Sequence, residues 1–162
     1  MRQAHGLNAW CGLSSAVSSW GLYTLVNSRN VSDLHPKVAA MCKAFIEECD
    51  KKGIDVLITS TYRDAESQTA LYNQGRTKPG NIVTNAKAGQ SFHNWKVAFD
   101  FCPIVNGKCQ WNDKALFATC GNIAESVGLE WAGRWTGKFK ETAHCQFTGG
   151  LSLLDFQKGK TI

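Results

Sequence analysis

Apolar and polar positions divide this chain into segments of different period. Between residues 36 and 52, Val38, Met41, Cys42, Phe45, Ile46 and Cys49 recur at spacings of three and four. That predicts an amphipathic helix, opened by Pro36 and closed by Gly53. Residues 54–60, IDVLITS, form a short apolar run expected as a buried strand. Residues 64–74 return to helical character, with Asp64 as the N-cap. Residues 75–91 hold three Gly, one Pro and small polar residues, and are expected as a surface loop. From 97 to 102 the pattern alternates, with Val97, Phe99 and Phe101 on one face of a strand and Ala98, Asp100 and Cys102 on the other. Asn106-Gly107 signals a hairpin, so Lys108–Trp111 should return as a strand. A third helix is expected over 113–127, capped by Asn112 or Asp113. The tail from Leu129 is aromatic and punctuated by Gly, with a strand around His144–Phe147. Helices interleaved with short strands and a hairpin predict an α+β domain with a small antiparallel sheet flanked by helices.

The segment before this domain is different. Residues 7–26 carry no charge, with Arg2 before them and Arg29 after. Their length suits a membrane span, but Asn8, four serines, Thr24 and two glycines leave them weakly apolar. No clear cleavage site follows a compact apolar region. Three readings stay open: an export anchor or signal-like segment making transient membrane contact, an arm packed on the domain, and a poorly ordered extension. The division expected is 1–27 for this segment and 28–162 for the folded domain.

Composition narrows the class. A chain of 162 residues, 43% hydrophobic and 19% charged, suits one globular domain with a real core. The net charge of +5 would favour approach to polyanions such as an anionic cell wall. No basic run or basic stripe interleaved with aromatics points to nucleic acid, so no nucleic-acid partner is expected. The seven cysteines, at 11, 42, 49, 102, 109, 120 and 145, include no CxxC pair, which removes zinc-finger spacing. Buried thiols in a reducing compartment are the plain expectation. One pair, such as Cys102 with Cys109 across a short turn, could bridge if the protein works outside the cytoplasm.

Four histidines are present: His5, His35, His93 and His144. His35 precedes Pro36 at a helix start, and His5 lies in the leader. His93 and His144 each have a carboxylate at short range. His93 and Asp100 are seven apart, which puts them on opposite faces of a continuous strand. To meet one ion, the chain must bend between His93 and Val97. Asp100 is a carboxylate on an otherwise apolar strand, costly there unless paired or metal-bound. Glu141 and His144 are three apart, and one turn would set them side by side. Two imidazoles and a carboxylate make a good zinc set that leaves a fourth position for water. An unligated carboxylate would then move the water's proton. From spacing alone, the plainer reading is a core histidine bonded to an aspartate, plus a surface glutamate.

The order Ser91-x-His93-x-x-x-x-Ala98-x-Asp100, followed by Glu141-x-x-His144, resembles the zinc peptidases of peptidoglycan. These comprise D-alanyl-D-alanine carboxypeptidases and dipeptidases and the L-alanyl-D-glutamate endopeptidases of phage endolysins. The family pattern is Ser-x-His-x-x-Gly-x-Ala-x-Asp, then Asp/Glu-x-x-His. Thr61-Tyr62-Arg63 with Gln68 resembles the family's arginine motif. Leu34-His35-Pro36 and Trp131-x-Gly133-x-Trp135 resemble its endopeptidase branch.

The resemblance implies the zinc D-Ala-D-Ala peptidase (hedgehog-like) fold. It implies Zn2+ on His93, Asp100 and His144, Glu141 as catalytic base, and Arg63 holding the scissile carbonyl and its oxyanion. Ser91 and Gln68 would serve substrate binding or steady the Arg63 region. The implied substrate is a peptidoglycan stem peptide, cut at the L-alanyl-D-glutamate bond by a monomer. It would act at the cell wall or periplasm after release or export from the cytoplasm of its host. A D-alanyl-D-alanine carboxypeptidase and a non-catalytic wall-binding module are the alternatives. One departure stands out: the family's Gly falls at Lys96. A positive φ there would strain Lys, and a bend whose long side chain points to solvent would accommodate it. Cys145 is expected to be buried, pointing away from His144.

Overall fold

The computed structural model describes residues 25–162, so the readings placed on residues 7–24 lie outside the described part. The elements run α1 (Pro36–Lys51), β1 (Asp55–Ser60), α2 (Ala65–Asn73), β2 (Ala98–Val105), β3 (Lys108–Cys109), α3 (Lys114–Ser126), β4 (Glu130–Trp131), β5 (His144–Gln146) and α4 (Leu153–Gln157). Short 3-10 turns link several of them, at Phe92–Trp95, Ala132–Arg134 and Gly137–Phe139 among others.

The local signals explain the boundaries. Pro36 starts α1 at a position where its missing N–H costs nothing. His35 caps that helix, its Nδ1 accepting from the Lys37 N–H. Asp64 caps α2 by accepting from Ser67 N at 2.7 Å, and Asp113 caps α3 by accepting from Leu116 N at 2.9 Å. Asn106 and Gly107 both take positive φ, as a tight hairpin requires. The returning strand is only Lys108–Cys109, shorter than the expected Lys108–Trp111. Beyond it the backbone turns, with Asp113 N donating to Gln110 O.

The sheet is antiparallel, ordered β1-β2-β5-β4, with β3 paired to the far end of β2. Helices α1 and α3 pack against each other and against the sheet. Phe45 from α1 meets Phe99 and Phe101 of β2 at ring-centroid distances of 5.9 and 5.1 Å, and Phe117 of α3 meets Phe101 at 5.4 Å. All four rings are buried, each contributing roughly 1.5–3 kcal/mol by burial. Six cysteines are described, all as free thiols; Cys42, Cys49, Cys102, Cys120 and Cys145 are buried and Cys109 is half-buried. Burial pushes the Cys42 thiol up to about 12, so it packs as a neutral apolar group.

Residues 26–28 pair with the segment that carries Arg63. Asn27 bridges antiparallel to Arg63, and Val26 and Ser28 exchange backbone hydrogen bonds with the 61–64 segment. Among the described residues, no helix is long and apolar enough to cross a membrane.

Candidate active site

Strand register brings the first polar groups together. Ser60 of β1, Asp100 of β2 and His144 of β5 are direct cross-strand partners, and residues opposite one another in a sheet share a face. His93 reaches the same point from the 3-10 turn Phe92–Trp95, which supplies the bend the sequence requires. Lys96 ends that turn at φ 62°, the left-handed conformation. A side chain there costs about 1–2 kcal/mol. Lys96 is exposed and lays its ammonium over the Tyr62 ring at 4.9 Å, so the position has the backbone geometry that suits Gly while its side chain points to solvent.

One ligand atom each from His93, Asp100 and His144 lie within 4.8 Å of one another. His93 Nδ1 is 2.7 Å from the Thr61 carbonyl. A carbonyl only accepts, so a neutral His93 carries its proton on Nδ1 and presents a lone pair at Nε2. That nitrogen lies 3.3 Å from Asp100 Oδ1, and His144 Nδ1 lies 3.1 Å from the same oxygen. His93 Nε2 and Asp100 Oδ1 are then two acceptors face to face, which favours a shared proton or a cation between them. The donor set of two imidazoles and one carboxylate fits a metal ion with an open coordination position.

The electrostatics agree. Burial by itself would raise Asp100, but the charge and hydrogen bonds of His93 and His144 outweigh it and hold the carboxyl well below the ordinary range. Burial would lower His144, yet the hydrogen bond and charge of Asp100 raise it on balance.

Arg63 is buried beside this cluster. Its guanidinium donates to Gln68 Oε1 and Ser60 Oγ, both at 3.0 Å, and stands 4.0 Å from Asp100 Oδ2. Burial lowers its affinity for the proton, and the Asp100 and Glu141 carboxylates partly restore it. Gln68 in turn donates to Ala86 O at 2.7 Å, tying α2 to the loop over 75–91. The Arg63 carbonyl accepts from Asn94 Nδ2 at 2.8 Å, which locks the arginine segment to the His93 turn.

Glu141 comes from a different kind of structure. Its side chain is 63% exposed, with Oε2 4.0 Å from His144 Nδ1. The Glu141 N–H donates to Ala132 O at 3.2 Å, and the Trp131 indole donates to Thr142 O at 2.8 Å. Trp131 itself is fixed between two glycines: a Cβ on Gly121 or Gly133 would lie 2.1 or 2.0 Å from its ring. The Trp-x-Gly part of the motif therefore anchors the segment that carries Glu141.

These groups open into one cleft of about 680 Å³, lined by Arg63, Ser91, His93, Asp100, Glu141 and His144 and walled by Val83, Trp135, Lys138 and Phe139. Ser91 faces the cleft as the residue before the His93 turn, its N–H donating to Asn94 Oδ1 at 3.4 Å.

The family model for D-alanyl-D-alanine carboxypeptidase (VanY) matches residues 31–149. The chain belongs to this family. It is 40% identical over 124 residues to the peptidoglycan L-alanyl-D-glutamate endopeptidase CwlK of Bacillus subtilis (strain 168), covering 71% of this chain and 74% of that protein. It is 30% identical over 135 residues to the L-alanyl-D-glutamate peptidase of Listeria phage A118, covering 80% of this chain and 44% of the phage protein.

Among solved structures, the Serratia marcescens L-Ala D-Glu endopeptidase ChiX superposes with a TM-score of 0.57 at 16% identity, over 81% of this chain and 92% of that one. The vancomycin-resistance D,D-pentapeptidase VanY, in complex with Zn(II), superposes with a TM-score of 0.53 at 13% identity, over 79% and 80%. The α+β fold with its small antiparallel sheet is thus the fold of the VanY peptidases.

Every site residue singled out in the sequence lies in or against the cleft. Gln68 does so at one remove, through Arg63. Ser60, the Thr61 carbonyl, Asn94 and Gln146, whose Oε1 lies 3.1 Å from His144 Nε2, also contribute and are not among the residues expected from the sequence. Gln146 did leave a signal. It lies two residues beyond His144 in a strand, hence on the same face, and it is polar where the strand is buried.

Proposed function

We propose that this chain is a zinc-dependent peptidase that hydrolyses the L-alanyl-D-glutamate bond of peptidoglycan stem peptides and acts at the cell wall. The observation that carries the proposal is the convergence of His93, Asp100 and His144 beside Glu141 and Arg63 in one cleft. It occurs in a family member 40% identical to an L-alanyl-D-glutamate endopeptidase.

His93 Nε2, an Asp100 carboxylate oxygen and His144 Nδ1 would hold the zinc. Bound zinc would supply a Lewis acid for the scissile carbonyl and lower the pKa of a water. Glu141 is the general base: its exposed carboxylate takes the water's proton and passes it to the leaving amine. Arg63, held by Ser60 and Gln68, offers guanidinium N–H groups to the oxyanion that develops on the carbonyl. Ser91 meets the substrate at the cleft wall, while Gln68 acts by steadying Arg63.

The test is mass spectrometry of purified muropeptides digested by the zinc-loaded protein. The expected products are a glycan-linked L-alanine and a free peptide beginning with D-glutamate. Loss of a terminal D-alanine alone would assign the site to D-alanyl-D-alanine carboxypeptidase chemistry. Intact muropeptides with a full complement of zinc would leave a wall-binding module.

A further inference from the structure

The two histidines are oriented by unlike means. His93 is fixed by a backbone carbonyl, which no side-chain substitution removes. His144 is fixed by side chains. Its Nε2 lies 3.1 Å from Gln146 Oε1, and Gln146 Nε2 lies 3.0 Å from Glu130 Oε2. The other carboxylate oxygen, Glu130 Oε1, accepts the Trp135 indole N–H at 2.7 Å. The Trp135 ring in turn lies against His144, with centroids 5.8 Å apart. Gln146 is buried, and Glu130 faces it directly across the β4–β5 pair.

The direction of this chain is set at Glu130. A carboxylate accepts and does not donate, so the Gln146 amide must turn its NH2 toward Glu130. Its carbonyl then faces His144, and a carbonyl also only accepts. His144 Nε2 must therefore carry a proton, which leaves Nδ1 as the lone-pair nitrogen of the neutral ring. Nδ1 is the atom that faces Asp100 and converges with His93. A residue able to donate at position 130 would let the Gln146 amide reverse and favour the opposite tautomer.

We propose that Glu130 is a positioning residue: through Gln146 it selects the His144 tautomer whose Nδ1 can bind the metal, and through Trp135 it fixes the ring that backs His144. This rests on the three-ligand reading of His93, Asp100 and His144. Surface carboxylates ordinarily contribute little. Glu130 differs because both its oxygens are committed to groups that reach the site. Gln146 is hydrogen-bonded to a candidate ligand directly, and partners of that kind typically govern metal affinity by about 10–100-fold; Glu130 acts through it.

The experiment uses the full chain and zinc alone, with affinity read by competition against a chromophoric chelator. The visible absorption of the cobalt-substituted protein reads ligand geometry. Glu130→Ala and Gln146→Leu should each weaken zinc binding about 10–100-fold and alter the cobalt spectrum. The double variant should bind no more weakly than Gln146→Leu, because both act along one path. The metal-free variants should melt within a few degrees of wild type. Glu130→Gln keeps size and shape, so it serves if the alanine variant fails to fold, and it too should lose affinity. Wild-type affinity in Glu130→Gln and Gln146→Leu would overturn the proposal while leaving the ligand set intact, and so would strictly additive losses. A wild-type protein that binds no zinc would overturn the three-ligand reading and this inference with it.

Discussion

On the floor of the cleft, Asp100 and His144 stand on paired strands, His93 sits in a one-turn bend, and Arg63 is buried with two side-chain acceptors. On the rim, Val83 is 56% exposed and Phe139 64%, in segments with little regular structure. Glu141 lies between the two, its backbone tied to Ala132 and its carboxylate open to solvent. The difference teaches where each demand is met. Convergence of three ligand atoms tolerates little error, and sheet register with buried hydrogen bonds supplies that precision. Contact with a long, hydrated polymer asks for exposed surface on loops carried by a rigid scaffold.

The largest effects should come from emptying the floor. His93→Ala, Asp100→Ala and His144→Ala should each weaken zinc binding by more than the ~10–100-fold typical of an outer partner, and should abolish turnover. Chelator competition on the metal-loaded protein measures this, and full activity in stripped protein would break the contrast between floor and rim. Arg63→Lys should lower kcat by about 10²-fold or more with zinc retained, because a point charge does not reproduce the guanidinium fork. On the rim, Phe139→Ala should raise KM by several-fold while kcat and zinc affinity stay near wild type, since the ring only walls the cleft. A fall in zinc content in that variant would show that rim and floor are not separable.

The smallest effect is one of pH on the metal-free protein. Asp100 is depressed in the fold, so its contribution is present above its ordinary value of 3.8 and is lost only as pH falls through the depressed one. His144 is raised, so its contribution is complete below its ordinary value of 6.5 and is lost as pH rises through the raised one. The melting temperature of metal-free protein should therefore fall as pH rises beyond the ordinary histidine value of 6.5, and His144→Ala should flatten that slope. Zinc binding should run the other way and tighten as the competing proton leaves.

Much of the scaffold was legible because its signals are local. The apolar spacing over 36–52 marks α1, which spans Pro36–Lys51. Asp64 and Asp113 announce α2 and α3, and Asn106-Gly107 announces the hairpin. The candidate ligand set and Glu141 stand out through motif resemblance more than spacing. That Asp100 faces His144 across 44 residues depends on strand register, which the core sets and no local pattern encodes. Glu130 carries no such signal, because β4 is two residues long and has no periodicity to show that its exposed glutamate lies opposite Gln146. Lys96 shows the limit from the other side: the left-handed turn is kept without the glycine that would have advertised it.

The central claim is that His93, Asp100 and His144 hold one zinc while Glu141 works beside it as base. Zinc stoichiometry and turnover measured on one preparation of Glu141→Gln test it most directly. Gln keeps the size of Glu but cannot take a proton at neutral pH. One zinc per chain should remain, with hydrolysis of stem peptides reduced by at least about 10²–10⁴-fold. Loss of zinc together with activity would make Glu141 a ligand, and near-normal turnover would remove it from the reaction.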